Sequence, residues 1–202
     1  MDSFPTDIKE VFFKTFFGDT SVESFEQWVY KTKELEQLLP PDSYFNLISF
    51  DYKQPKVKYE LVKIIERLID NGEYETWKLR HLLKQTTERT GDYPRALVQF
   101  YDLYCKGYYF VDNLAFGYGL PLDSPWSKFG VDSFDKLTTA QQKELADSFY
   151  PDIERELNKA SHWLDSKKII LTGQRGDLDR FEFLDTRAEE EKKPTAYTTD
   201  KK

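Results

Sequence analysis

The run from Val57 to Ile69 constrains this chain more than any other feature. Val57, Leu61, Ile64, Ile65, Leu68 and Ile69 recur at i, i+4, i+7, i+8, i+11 and i+12, which lines one face of an α-helix and suits no strand. Such a stripe is stable only against another apolar surface, and the chain supplies several. Ile8, Val11, Phe12 and Phe16 predict a helix over Thr6 to Phe17, stopped by Gly18. Phe25, Trp28, Val29, Thr32, Leu35, Leu38 and Leu39 predict a second, entered through a Thr20/Glu23 capping box and ended by Pro40-Pro41. Asp42 is expected to cap a short segment through Tyr52. Pro55 opens the Val57 helix and Gly72 closes it. A helix from Glu73 to about Glu88 turns Tyr74, Trp77, Leu82 and Leu83 inward. Another starts near Pro94 and carries Leu97, Phe100, Tyr101, Tyr104, Tyr108 and Val111. Thr138 and Gln141 form a second capping box for a helix to about Tyr150. Pro151 restarts a helix through Asp165, with Ile153, Leu157, Ala160 and Leu164 buried.

Two stretches leave this pattern. Gly117, Gly119, Pro121, Pro125 and Gly130 predict a loop over 117–130 that still carries Tyr118, Leu120, Trp126 and Phe129. Ile169 to Leu171, Gly173 to Gly176 and Phe181 to Leu184 predict a β-hairpin. From Thr186 to Lys202 the chain is polar and is expected to be a disordered tail. The fold class is therefore mainly α: a multi-helix bundle with a small C-terminal β-hairpin, in a single domain over 1–185 with the hairpin at about 167–185.

Composition excludes several classes. The 202 residues include 4 Trp, 13 Tyr and 16 Phe, enough apolar bulk for a core without disulfides or metal. The single cysteine, Cys105, has no internal partner, which suits a reducing compartment, and its neighbours Leu103, Tyr104 and Tyr108 suggest a small buried residue. No run approaches 18 apolar residues, and the acidic start Met1-Asp2-Ser3-Phe4-Pro5 does not read as a signal peptide. The cytoplasm is the expected location. A net charge of −7 disfavours both nucleic acid, whose phosphates need Lys and Arg, and anionic membranes.

Motifs for chemistry are missing from the sequence. His81, His162 and Cys105 have no metal-ligand spacing, so neither a metal nor a cofactor is expected. Gly117-Tyr118-Gly119 lacks the third glycine of a dinucleotide fingerprint, and no nucleophile elbow surrounds a serine. Glu73 with Glu75, and Asp152 with Glu154 and Glu156, read as solvated faces. Arg175-Gly176-Asp177 reads as hairpin-turn chemistry.

The distribution of charge carries more. Residues 1–54 hold ten acids and five bases, and residues 131–165 hold eight acids and four bases, while the stretch between them is nearly neutral. Clustered acids attract basic partners. The expected partner is a protein with a basic surface, met by Asp147, Asp152, Glu154 and Glu156, with Trp126 as an aromatic anchor. Two other classes compete: a small enzyme with a scattered carboxylate and tyrosine site, and a helical adaptor that docks through loop 117–130.

The first half of the chain, from Phe25-Glu26-Gln27-Trp28 through Glu73-Tyr74-Glu75-Thr76-Trp77, resembles small acidic bacterial immunity-type proteins of toxin/immunity systems. That resemblance implies a cytoplasmic, non-enzymatic inhibitor whose acidic face plugs the basic cleft of a nuclease-type toxin. It assigns no individual residue.

Overall fold

The computed structural model describes residues 4–193. The fold is mainly helical with one small antiparallel sheet near its C-terminal end. The chain divides into two compact units, Met1–Tyr74 and Glu75–Lys202, where the sequence predicts a single domain over 1–185.

In the first unit, α1 (Thr6–Phe17) has the predicted limits. It ends because Gly18 takes a left-handed conformation, φ 103°, that costs a residue without Cβ nothing. The helix expected from residue 20 to residue 39 is instead broken. Ser21, not Thr20, caps α2 (Val22–Lys31) by accepting the Ser24 N–H, and Thr32 leaves helical geometry. A separate turn, α3 (Leu35–Leu38), follows. Pro40 and Pro41 then begin α4 (Pro41–Ile48) as well as terminating what precedes, since a proline at the first helical position has no N–H to lose. α5 (Val57–Glu66) buries Leu61 and Ile65. It ends well before Gly72, which lies inside α6 (Asn71–Glu88). Around Phe12, Phe25, Leu35, Leu47 and Ile65, all at 0% exposure, one core gathers the stripes of α1 to α5. Phe12 meets Trp28 edge to face at 5.4 Å, and the Tyr52 hydroxyl donates to the Leu47 carbonyl at 3.0 Å.

In the second unit, α7 (Tyr93–Cys105) buries Ala96, Leu97, Phe100 and Leu103, and Asp92 caps it through the Arg95 N–H. The predicted extension to Val111 is a separate 3₁₀ turn, Tyr109–Val111, after Gly107. The segment expected as a loop over 117–130 is mostly helical. α8 (Asp112–Leu114) runs into a π-turn, Ala115–Gly119, then α9 (Leu120–Asp123) and α10 (Trp126–Phe129). Its prolines do not break these helices, because Pro121 falls in a first turn and Pro125 precedes one. Gly119 has a different reason. A Cβ there would stand 2.8 Å from the Leu97 carbonyl oxygen and 3.0 Å from the Tyr101 nitrogen, so only glycine lets the π-turn lie on the α7 backbone.

α11 (Thr139–Asp147) opens with the Thr138/Gln141 capping box that the sequence predicts, and α12 (Glu154–Asp165) carries the expected buried stripe. β1 (Ile169–Arg175) pairs with β2 (Phe181–Asp185), Ile169 opposite Asp185 and Leu171 opposite Phe183. The reversal lies after Arg175, not over Gly173 to Gly176. The hairpin packs by stacking Phe181 on the buried Tyr108 ring, centroids 5.0 Å apart.

Residues 186–193 correct the expected disordered tail. Arg187 is buried, pairs with Asp185 at 2.8 Å and lies over the Trp163 ring at 4.3 Å. A short turn, α13 (Glu189–Lys192), brings Glu191 to Lys168 at 2.9 Å and to the Trp163 indole N–H at 3.2 Å. Charged residues hold this segment in place, so a count of its apolar residues misses it. The remainder of the expected tail, 194–202, lies outside the described residues.

Candidate functional site

The residues expected to meet a partner meet different fates. Trp126 is 66% exposed on α10. Asp152 and Glu154 are exposed at the start of α12. Asp147 is engaged internally: the Tyr93 hydroxyl donates to it at 2.6 Å, and Arg89 stands 3.7 Å away. Glu156 is no surface contact. It is 5% exposed, and it accepts from Arg155 Nε at 2.9 Å, Lys159 Nζ at 3.0 Å and Asn113 Nδ2 at 3.2 Å. Two cations and an amide satisfy it, as a buried carboxylate requires. Its position was readable, since residue 156 shares the face of Ile153, Leu157 and Ala160. The two acidic segments fall in separate units, one in Met1–Tyr74 and the other in Glu75–Lys202.

Within the second unit, the outer face of α7 gathers groups that suit recognition. The α7 stripe is wider than one core face. Leu97, Phe100 and Leu103 point inward, while Tyr101 and Tyr104 stay half-exposed and Asp102 and Cys105 are exposed. Cys105 thus departs from its expected burial, because it sits four residues after Tyr101 on the outward face. The π-turn lays Phe116 across this face, 37% exposed. Phe116 meets Tyr104 at 4.6 Å and Tyr101 at 6.1 Å, both edge to face. Tyr104 meets Tyr109, 44% exposed, at 5.3 Å and 74°. Four aromatic rings therefore form one connected surface array.

Carboxylates border the array. Asp102 belongs to α7 and Asp123 to α9, and among the described residues neither carboxylate has a salt bridge or side-chain hydrogen bond. Burial raises the Asp123 carboxyl above its ordinary range, and the charges of Asp102 and Asp135 push it further. The Tyr101 hydroxyl is also raised, chiefly by Cys105 beside it, then by burial, Asp123 and Asp102. Asp135 forms an ion pair with Arg95. Both kinds of group attract cations: the ring faces through their quadrupoles and the carboxylates through charge. One guanidinium already responds, with Arg180 lying 5.9 Å from the Tyr109 ring centre.

The sequence reading assigned Tyr101 and Tyr104 to the core stripe and so missed this surface. The signal available was the polar tip of tyrosine together with Asp102 and Cys105 on the same helical face. Among the described residues, no group of three or more His, Cys, Asp or Glu side chains is placed to hold a metal ion. No helix among them is long and apolar enough to cross a membrane.

No model of a known protein family matches this chain, and neither a curated protein nor a solved structure matches it.

Proposed function

We propose that this chain is a non-enzymatic binding protein that takes a basic protein partner on the outer face of α7. The observation that carries the reading is the juxtaposition of the Tyr101, Tyr104, Tyr109 and Phe116 rings with the Asp102 and Asp123 carboxylates. Tyrosines anchor interfaces because they bury a large ring at low entropic cost and keep a hydroxyl for a hydrogen bond. The carboxylates add steering and select for Lys or Arg in the partner. An immunity-type inhibitor that covers the basic cleft of a toxin uses this chemistry, and the overall charge of −7 favours encounter with such a partner.

Photo-crosslinking tests the proposal. A benzophenone amino acid placed at Phe116, with one at Tyr30 as control, is expressed in the host and the adducts are identified. The reading expects a basic protein crosslinked at residue 116 and lost on Tyr104→Ala. An acidic adduct, or one indifferent to Tyr104, overturns it.

A further inference from the structure

A cavity of about 740 Å³ opens on the first unit beside α1 and α3, within the roughly 300–1,000 Å³ range of small-molecule sites. Phe13, Leu39, Leu68 and Ile69 give it an apolar lining. Its rim carries Lys9, Arg67, Asp70 and Glu73. Three of these four are already engaged. Lys9 pairs with Glu73 at 2.6 Å, and Asp70 accepts the Glu73 backbone N–H at 2.8 Å at the start of α6. Among the described residues, no ion pair or side-chain hydrogen bond engages the Arg67 guanidinium.

We infer that this cavity binds a small amphipathic monoanion, a carboxylate with an apolar tail, independently of the α7 surface. The tail lies on Phe13, Leu39, Leu68 and Ile69, and the head meets the planar fork of Arg67, whose geometry matches a carboxylate. The rim also sets the charge of the ligand. Asp70 and Glu73 stand on it beside Arg67, so a second negative charge on the head is repelled and a phosphate dianion is disfavoured. A cationic head is disfavoured as well, because Arg67 opposes it and Lys9 already occupies Glu73.

Titration calorimetry on the full chain tests this with decanoate, decyl phosphate and decyltrimethylammonium, each below its micellar concentration. The expected result is saturable binding of one decanoate per chain, with the other two at least tenfold weaker. Arg67→Gln weakens decanoate at least tenfold without altering the melting temperature, and Arg67→Lys restores part of the affinity. Three results overturn the inference: no saturable binding of decanoate, equal affinity in Arg67→Gln, or binding of the trimethylammonium probe as tight as that of decanoate.

Discussion

The Tyr104 and Phe116 rings meet edge to face, 4.6 Å between centroids and 68° between planes, at the surface of the second unit. Edge-to-face pairs stabilise by about 0.5–1.5 kcal/mol beyond their burial. A pair of this kind left accessible keeps the face of one ring free for a cation. Tyr104 also contacts Tyr109, so it is the hub of the array. Tyr104→Ala is expected to cost about 1–3 kcal/mol in urea unfolding, since two such pairs are lost. The same change should weaken a basic partner at least tenfold, about 1.4 kcal/mol or more. Loss of stability without loss of affinity would make Tyr104 a packing residue only.

The π-turn that delivers Phe116 depends on Gly119. Gly119→Ala drives a methyl group into the Leu97 carbonyl and the α7 backbone. Overpacking of this kind costs about 1–3 kcal/mol. Because the turn must move away from α7, the Tyr101 and Phe116 ring resonances should shift as well. A variant with wild-type melting and wild-type aromatic spectra would show that the close approach is slack.

The core of the first unit separates neighbouring isoleucines. Ile65 is at 0% exposure and Ile64 is half-buried. Ile65→Asp should remove at least about 4 kcal/mol of a total stability of about 5–15 kcal/mol, because it combines a cavity with an unpaired buried charge. Ile64→Asp should cost about half of that or less. Equal losses in urea melts would mean that the two positions face the core alike.

Docking of residues 186–193 should depend on acid. Lys168, the Ala188 backbone N–H and the Trp163 indole hold the Glu191 carboxyl down at about 2, against an ordinary glutamate value near 4.5. A carboxylate with a depressed folded value contributes stability above its unfolded value, and the contribution is lost as pH falls through the folded one. The Trp163 indole N–H resonance should therefore hold its position above about pH 4.5 and move between there and about pH 2. In Glu191→Gln this movement should be absent. An unshifted resonance across that window in the wild type would separate Glu191 from the docking.

Local signals on the sequence carried over where the chain's own neighbours decide the outcome. Gly18 stops α1, the Thr138/Gln141 box starts α11, and the Ile153 to Leu164 stripe places α12. The misreadings share a cause: a residue type has two uses. Proline ends helices and also begins them, so Pro41 and Pro121 initiate helical turns. Glycine closes helices and also permits close packing, so Gly119 lies inside a helical stretch, against α7. Tyrosine fills cores and covers surfaces, so Tyr108 is buried while Tyr104 is not. The acidic count placed charge on α12 correctly but could not tell the solvated Glu154 from Glu156, which its own helix turns inward onto Arg155, Lys159 and Asn113. Ring contacts between α7 and the π-turn join positions twelve or more residues apart, beyond the reach of helical periodicity.

The central claim, that the α7 face receives cations from a protein partner, is tested most directly by a ¹⁵N and aromatic ¹³C NMR titration with an arginine-rich decapeptide at two salt concentrations. The predicted result is saturable shifts centred on Tyr101, Tyr104, Tyr109 and Phe116, weakened by added salt and sharply reduced in the Asp102→Asn, Asp123→Asn double variant. Shifts spread evenly over all acidic surfaces, or centred on α7 but unaffected by that double variant, would contradict it.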